Sequence, residues 1–286
     1  MEPVSGTIDW GTLAKADRRP RAFDPGDGLF WADPYIAGHV VWAHLDDRSD
    51  DASRPLKLIE AEVAWIDGLA SRPGRLLDLG CGVGRHALLF AERGWSVMGI
   101  DVAEASLEFA RQEATDAGLD ASFIHGNLHT LPFPGKQDLI LLAYGTIGTM
   151  SPSQARRLIG RCRQALAPGG MLIFDAFRKP WWEAQKKAAV GRSWTVVPQE
   201  GFWTGAPHLV LSRTDAYPTL RTFGRTYTVV ESNRVRRFPL WYRWFDAEHL
   251  SAELLAGWTV RYTGGLDGRR LSPGSSWVAA VARWEE

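Results

Sequence analysis

The chain has 286 residues, 45% hydrophobic and 23% charged, which is the make-up of a globular protein large enough for one big domain or two. Lys plus Arg and Asp plus Glu number 33 each, so the formal net charge is zero; with no basic tail or Lys/Arg run, a nucleic-acid backbone is not the expected partner. No apolar run reaches bilayer-spanning length and no signal-peptide pattern is visible, and Cys81 and Cys162 sit in a glycine turn and a helical pattern rather than a disulfide framework, so the chain is expected to be cytoplasmic and not membrane-bound.

In chain order, the first twenty-five or so residues, rich in Gly, Pro and mixed charge, read as a loose tail. An apolar segment follows from Phe30 to Leu45, in which Asp33 caps a helix that has Pro34 at its first position. His39, Trp42 and His44 fall near or within it. A polar interruption at 46–55 leads to an amphipathic helix at 56–69. Residues 76–84 then read Leu-Leu-Asp-Leu-Gly-Cys-Gly-Val-Gly, followed at once by a helical pattern over 85–93. That order is strand, glycine turn, helix N-terminus. The glycines let the backbone approach a ligand closely, and the helix start offers free N–H groups. A nucleotide-like cofactor is the expected occupant.

Further units continue the alternation. Residues 96–101 form a second strand ending in Asp101, followed by a helix at 104–117 and a stop at Gly118. Residues 121–128 read as a third strand and turn, and 137–144 as a fourth, nearly all-apolar strand. A helix at 152–166, with Ser151 as its N-cap, is stopped by Pro168-Gly169-Gly170 before a fifth strand at 171–177.

The motif G-x-G-x-G, with Asp78 two residues before its first glycine, differs from the dinucleotide fingerprint, which needs a glycine where His86 stands. Together with the acid at the end of the second strand and the helix–Pro-Gly-Gly–strand succession, residues 75–177 resemble the class I S-adenosylmethionine (SAM)-dependent methyltransferases, of the type that acts on small molecules. The resemblance implies an α/β fold: a Rossmann-like, doubly wound, seven-stranded sheet with an antiparallel terminal hairpin, an N-terminal helical lid and an antiparallel β insertion after strand 5. It implies SAM as cofactor and S-adenosylhomocysteine (SAH) as product. Asp78 receives the ammonium of the cofactor's amino-acid moiety. Gly80, Cys81, Gly82 and Gly84 form the turn around it. Asp101, with Val102 beside it, takes the ribose hydroxyls. Asn127, with Leu128 next to it, receives the adenine amino group; the family often has Asp where Asn127 stands. Tyr144 lies at the strand end where the methyl group belongs, as a cofactor contact and catalytic candidate. His44 is the second catalytic candidate. Trp31, His44 and Arg54 are lid candidates, Arg54 as the holder of a carboxylate. The alternative for Arg54 is a surface ion pair with the acids beside it.

After the fifth strand the pattern changes. A short helix at 181–190 precedes shorter strands at 193–197, 208–214, 220–231 and 234–245, the last two separated by a two-residue hairpin turn. Arg234, Arg236 and Arg237 are expected on the solvated face of a strand. A helix at 247–255, capped by Asp246, and strands at 258–263 and 276–284 complete the chain. The expected organisation is 1–72 tail and lid, 73–190 cofactor-binding core, 191–245 insertion, and 246–286 end of the core. The insertion covers the substrate or makes a homodimer contact. Many of the fourteen tryptophans belong to or border it. They form its core, or an aromatic pocket for a flat ring or a cationic amine, with Trp241 and Tyr242 as substrate-binding candidates. No metal pattern is present in the sequence, and none is expected. The reading is methyl transfer to N or O of a small molecule, in a setting such as bacterial specialised metabolism. The alternatives are a non-catalytic SAM-binding protein and an NAD-dependent oxidoreductase.

Overall fold

The computed structural model describes residues 10–189 and 191–284. Met1 to Asp9, Val190 and the last two residues lie outside them, including the end of the helix expected at 181–190 and the ends of the outer segments.

The central sheet is built from β1 (Arg75–Leu79), β2 (Ser96–Asp101), β3 (Ala121–His125), β4 (Gln137–Leu142), β5 (Leu166–Phe177), β10 (Trp258–Thr263) and β11 (Trp277–Trp284). Their order across the sheet is β10-β11-β5-β4-β1-β2-β3. β1 to β5 pair in parallel, and β11 runs antiparallel to both β5 and β10. The chain order reverses at β1 and β4, whose carboxyl ends therefore flank the crevice in which open α/β sheets bind ligands. The expected seven-stranded Rossmann-like sheet with its antiparallel hairpin is the observed one.

Both faces of this sheet are covered. One core gathers Leu77, Leu79, Ile140, Leu142 and Phe174 against α6 (Pro152–Ala165) and α8 (Ala247–Glu253). The other gathers Leu76, Leu139, Leu141 and Ile173 against α3 (Leu56–Asp67), α4 (Arg85–Glu92) and α5 (Glu104–Asp116). Ser151 accepts the Gln154 N–H while the Gln154 side chain accepts the Ser151 N–H, a complete capping box at the start of α6. β5 begins earlier than expected. Leu166 already pairs with Gln137, and the Pro-Gly-Gly segment is carried as a register shift within the strand rather than as a break before it.

A second sheet follows α7 (Lys179–Ala189). It is an antiparallel meander of β6 (Arg192–Val197), β7 (His208–Tyr217), β8 (Thr222–Val230) and β9 (Val235–Arg243). Glu231 N–H donates to Arg234 O at 2.8 Å, which closes the two-residue hairpin at Ser232-Asn233. A bridge between Phe177 and Trp244 joins this sheet to the end of β5.

From residue 10 onward the amino-terminal segment is not the loose tail expected of it, while residues 1–9 lie outside the described residues. A short helix α1 (Trp10–Ala16) and the residues after it run along the outer face of the meander. Arg213 donates to Asp17 O at 2.6 Å, Arg19 to Ala216 O at 2.6 Å, and the Trp241 indole to Asp24 O at 2.9 Å. No buried residue marks α1, so hydrophobic periodicity gave no sign of it. α2 (Pro34–Leu45) is capped as expected, with Asp33 accepting the Tyr35 and Ile36 N–H groups at 3.1 Å. Of the three arginines expected on a solvated face, Arg234 is exposed as expected, and the other two are a second correction. Arg236 is buried, paired with Asp33 at 2.6 Å and donating to Trp203 O at 3.3 Å. Arg237 N–H donates to Asp27 at 2.8 Å.

Ser151→Ala removes the acceptor at the head of α6 and should destabilise the protein by about 1 kcal/mol. Urea unfolding with an unchanged m-value checks this; a midpoint equal to wild type would mean that the cap contributes nothing.

Candidate active site

The glycine turn is held by its backbone. Gly80, Gly82 and Gly84 have φ of 80°, 54° and 79°, a region that L side chains enter only with strain. The Gly80 N–H donates to Ile100 O at 2.8 Å, tying the turn to the end of β2. Gly82 also faces a neighbour: a Cβ there would lie 3.1 Å from the His44 ring. The last turn of α2 thus lays an imidazole on the glycine turn. Burial, reinforced by the Arg85 charge, lowers the His44 pKa to about 4, so the ring is neutral at physiological pH.

Position 86, where a dinucleotide fingerprint would have glycine, has a different use. His86 Nε2 lies 2.9 Å from Glu62 Oε2 of α3. The side chain that would block close strand–helix packing is instead accommodated by an acid.

Two carboxylates frame the turn. Asp78 is 2% exposed, with no hydrogen bond to its side chain among the described residues, and burial raises its pKa to about 6. Asp101 accepts the Gly82 N–H and the Ala103 N–H, each at 2.9 Å; burial raises its pKa while these donors oppose the rise. An unsatisfied buried acid is the group a ligand ammonium would complete, and a carboxylate aimed across the turn suits hydroxyl donors. The residues therefore fit SAM. Cys81 is unpaired, with burial raising its thiol well above the usual range. Val102 O lies 3.1 Å from His125 Nε2. Asn127 Oδ1 accepts the His129 N–H at 2.8 Å, so it makes a turn; its second lone pair is left for a ligand. Leu128 is buried and its carbonyl accepts from Arg161.

Beyond the turn lies the end of β4. Tyr144 has φ 60° and Gly145 φ 70°, two successive left-handed residues, and a non-glycine held there marks stored strain. Burial raises the Tyr144 phenol well above its usual range, with the Asp50 charge adding to the rise and Arg54 opposing it, so the hydroxyl stays protonated and can donate. Its ring stacks 5.7 Å from Trp277, which is 4.5 Å from Phe177, which is 3.9 Å from Trp181.

Arg54 is not at the surface, and its partners are not the neighbouring acids. It is 5% exposed, hydrogen-bonded to Asp175, and 3.3 Å from Glu62. Asp175 in turn accepts the Gly145 N–H at 2.8 Å. The guanidinium lies 4.2 Å over Trp277 and 5.2 Å over Tyr144. Glu62, Asp175, Phe177 and Trp277 were not singled out from sequence. A signal existed for two of them: an acid inside the apolar stripe of α3 and an acid inside the apolar run of β5 are both anomalies.

The meander separates the two aromatic candidates. Adjacent residues of a strand point to opposite faces. Tyr242 faces inward, 6.0 Å from Phe177 and 4.9 Å from Phe223. Trp241 faces outward, 5.5 Å from Phe23 and 5.6 Å from Tyr217, so it packs the amino-terminal segment and not this site. Trp31 lies 6.4 Å from His44 and 4.8 Å from Phe30. Among the described residues no group of three or more His, Cys, Asp or Glu could hold a metal ion, and no helix is long and apolar enough to cross a membrane.

A reversal of strand order at β1 and β4, a glycine turn at that point and acids at the ends of β1 and β2 define a SAM-binding Rossmann-like protein. Residues 76–170 match the family described as "Methyltransferase domain". The demethylmenaquinone methyltransferase of Thermus thermophilus is 36% identical over 148 residues, 49% of this chain and 66% of that protein. The CcbJ methyltransferase of Streptomyces caelestis superposes with a TM-score of 0.66 at 22% identity, covering 90% of this chain and 99% of that one. The sugar N-methyltransferase KedS8 of Streptoalloteichus sp. does so with a TM-score of 0.57 at 19% identity, covering 94% and 99%. The chain spans 66%, 34% and 45% of the length of the first three curated relatives it matches. Residues 76–170 carry a methyltransferase domain on a Rossmann-like sheet, and SAM is that domain's cofactor.

Two outcomes follow from the acids. Asp101→Ala should weaken SAH binding at least tenfold, from the loss of charge-assisted hydrogen bonds of about 1.5–3 kcal/mol; unchanged affinity in calorimetry would remove Asp101 from the ribose site. Asp78 binds an ammonium only when ionised. With its pKa at about 6 before binding, SAH affinity should be flat above pH 7 and fall below pH 6. An affinity independent of pH between 7 and 5 would contradict the role given to Asp78.

Proposed function

We propose that this chain transfers a methyl group from SAM to a nitrogen or oxygen of a small molecule. The observation that carries the reading is the crevice itself, where the glycine turn with Asp78 and Asp101 opens beside the strained Tyr144 turn and its rings. When bound, SAM supplies an electrophilic methyl group on a sulfonium.

The residues of this chain do the rest. Asp78 holds the ammonium, Asp101 with Val102 the ribose, and Asn127 with Leu128 the adenine. Tyr144 donates its hydroxyl toward the reacting end. The rings of Tyr144, Trp277 and Tyr242 exclude water and align the acceptor. His44 is unprotonated at neutral pH, with its pKa lowered to about 4, so it serves the reaction by accepting a hydrogen bond from the acceptor's N–H or O–H rather than as a strong base. Trp31 and His44 belong to the lid over the turn. Arg54 serves the site from within, by holding Asp175 and through it the Tyr144–Gly145 turn. Residues 191–245 cover the acceptor, and a homodimer contact is the other use open to their exposed edge.

Support for a small acceptor comes from the relatives' names, which include a demethylmenaquinone and a sugar as substrates. Biosynthesis of such metabolites is the setting we favour. A cytoplasmic location accords with the two unpaired cysteines.

The test is transfer of label from methyl-labelled SAM to a panel of small amines and hydroxylated aromatics. Label should appear in at least one acceptor. Micromolar SAH binding with no transfer to any of them would favour a non-catalytic SAM-binding protein. With a working acceptor, His44→Gln should lower kcat by about tenfold or more while SAH affinity stays within about threefold; loss of affinity with kcat preserved would make His44 a lid residue only.

A further inference from the structure

The pleat of the meander identifies which of its side chains face the active site. On β8, Phe223 stacks 4.2 Å from Trp182 and 4.9 Å from Tyr242, at the end of the wall anchored to Phe177 and β5. Further along the same face, Tyr227 lies 4.6 Å from Trp203, which lies 5.6 Å from Phe30. Phe30 leads through Trp31 to His44 and the glycine turn. Residue 225 lies midway between 223 and 227, and the two-residue repeat of a strand puts its side chain on their face. Its cross-strand neighbour is Leu240 of β9, between Phe238 and Tyr242. Arg225 therefore stands between two ring chains, one running through Tyr242, Phe177 and Trp277 to Tyr144, the other through Trp203, Phe30 and Trp31 to His44.

Arg225 is also distinct in its partners. It is half-buried, and the structure gives its side chain no hydrogen bond, ion pair or ring contact. Among the described residues, every other arginine lacking all three is exposed. Its charge reaches the Tyr242 hydroxyl, as does that of Asp51 in the covering loop, yet Asp51 and Arg225 are not paired. Arg54 is already charge-paired with Asp175 and Glu62. A guanidinium taken partly out of water without a partner is unfavourable, and its planar set of donors matches a carboxylate or phosphate.

We propose that Arg225 anchors an oxyanion of the methyl acceptor, whose body lies along the half-buried rings of Tyr227 and Tyr242 that flank it on the inward face. The inference rests on the reading that the acceptor enters beneath residues 191–245. It narrows the acceptor to a molecule carrying a carboxylate or a phosphate at some distance from the methylated atom.

The experiment is calorimetric titration of the SAH-loaded protein with phenylacetate, phenyl phosphate and the neutral phenylacetamide. At least one anion should bind about tenfold or more tighter than the amide, and the tighter anion distinguishes a carboxylate from a phosphate anchor. Arg225→Gln should erase that preference, and Arg225→Lys should retain part of it, with SAH affinity and melting temperature unchanged in both. Anions binding no better than the amide, or a preference that survives Arg225→Gln, would overturn the anchor while leaving the cofactor site standing. If SAH itself does not bind, the methyltransferase reading falls, and this inference with it.

Discussion

One buried cation joins the parts of this protein that must meet at the active site. Arg54, from the loop before α3, lies among Asp175 at the end of β5, Glu62 of α3, and the faces of Trp277 and Tyr144. Arg85, at the start of the helix after the glycine turn, donates to the Arg54 carbonyl at 2.9 Å. Glu62 continues the chain to His86. Taking such charges out of water costs about as much as their attraction returns, so the arrangement is poor evidence for stability. What it provides is a fixed register. The carboxylate of Asp175 has one oxygen on Arg54 and the other on the Gly145 N–H, so the left-handed turn at Tyr144 is held by the same group that holds the lid loop. A strained backbone persists only where its surroundings over-determine it, and here they do so from three separate segments.

The same arrangement sets the electrostatics of the cofactor crevice. Arg54 is paired with two acids, Asp175 and Glu62. Asp78 and Asp101 sit beside that turn with pKa values raised chiefly by burial. Asp78 is thus a site prepared for a cation, since a positive group beside it restores the ionised form that burial disfavours. A pyrophosphate would meet Asp78 beside the turn where dinucleotide folds offer backbone donors, whereas Asp101 stands where both kinds of fold place an acid for the ribose. This is the physical reason that an NAD-type reading does not suit the turn, beyond the absence of a glycine at position 86.

The sheet was legible because its signals are local. Continuous apolar runs bounded by Gly, Pro and acids marked β1 to β5, and the glycine turn with Asp78 and Asp101 lies at the crevice where the strand order reverses. What escaped depends on contacts between distant residues. Arg54 and Asp175 are 121 residues apart, and no spacing rule pairs them. Alternation says that Trp241 and Tyr242 oppose each other, but the sequence does not say which one faces inward. That is decided by residues 17–27, which occupy the outer face of the meander. α1 and the segment after it carry no apolar periodicity, because their hold on that face is by hydrogen bonds to backbone carbonyls rather than by a buried stripe. Arg236, expected to face water, is buried because Asp33, some two hundred residues earlier, does double duty: one oxygen caps α2 and the other takes the guanidinium.

These two faces explain how the meander can shape an acceptor site without disturbing the cofactor site. Its outer face is locked by the amino-terminal segment through Trp241, Tyr217 and Arg213. Its inner face touches the central sheet mainly through rings at the end of β5, and the lid through Phe30 and Trp203. Neither anchor uses Asp78, Asp101 or the glycines. Arg225, between the anchors, makes no hydrogen bond, ion pair or ring contact with either sheet, whereas Leu240 beside it packs on the Phe30–Phe238 cluster. Substitution there changes what the wall presents to an acceptor, while the turn that receives SAM is held by β1, β2 and the Arg54 chain. With the acceptor beneath the meander, as proposed, cofactor binding and acceptor choice are separable in this fold, because different secondary structures carry them.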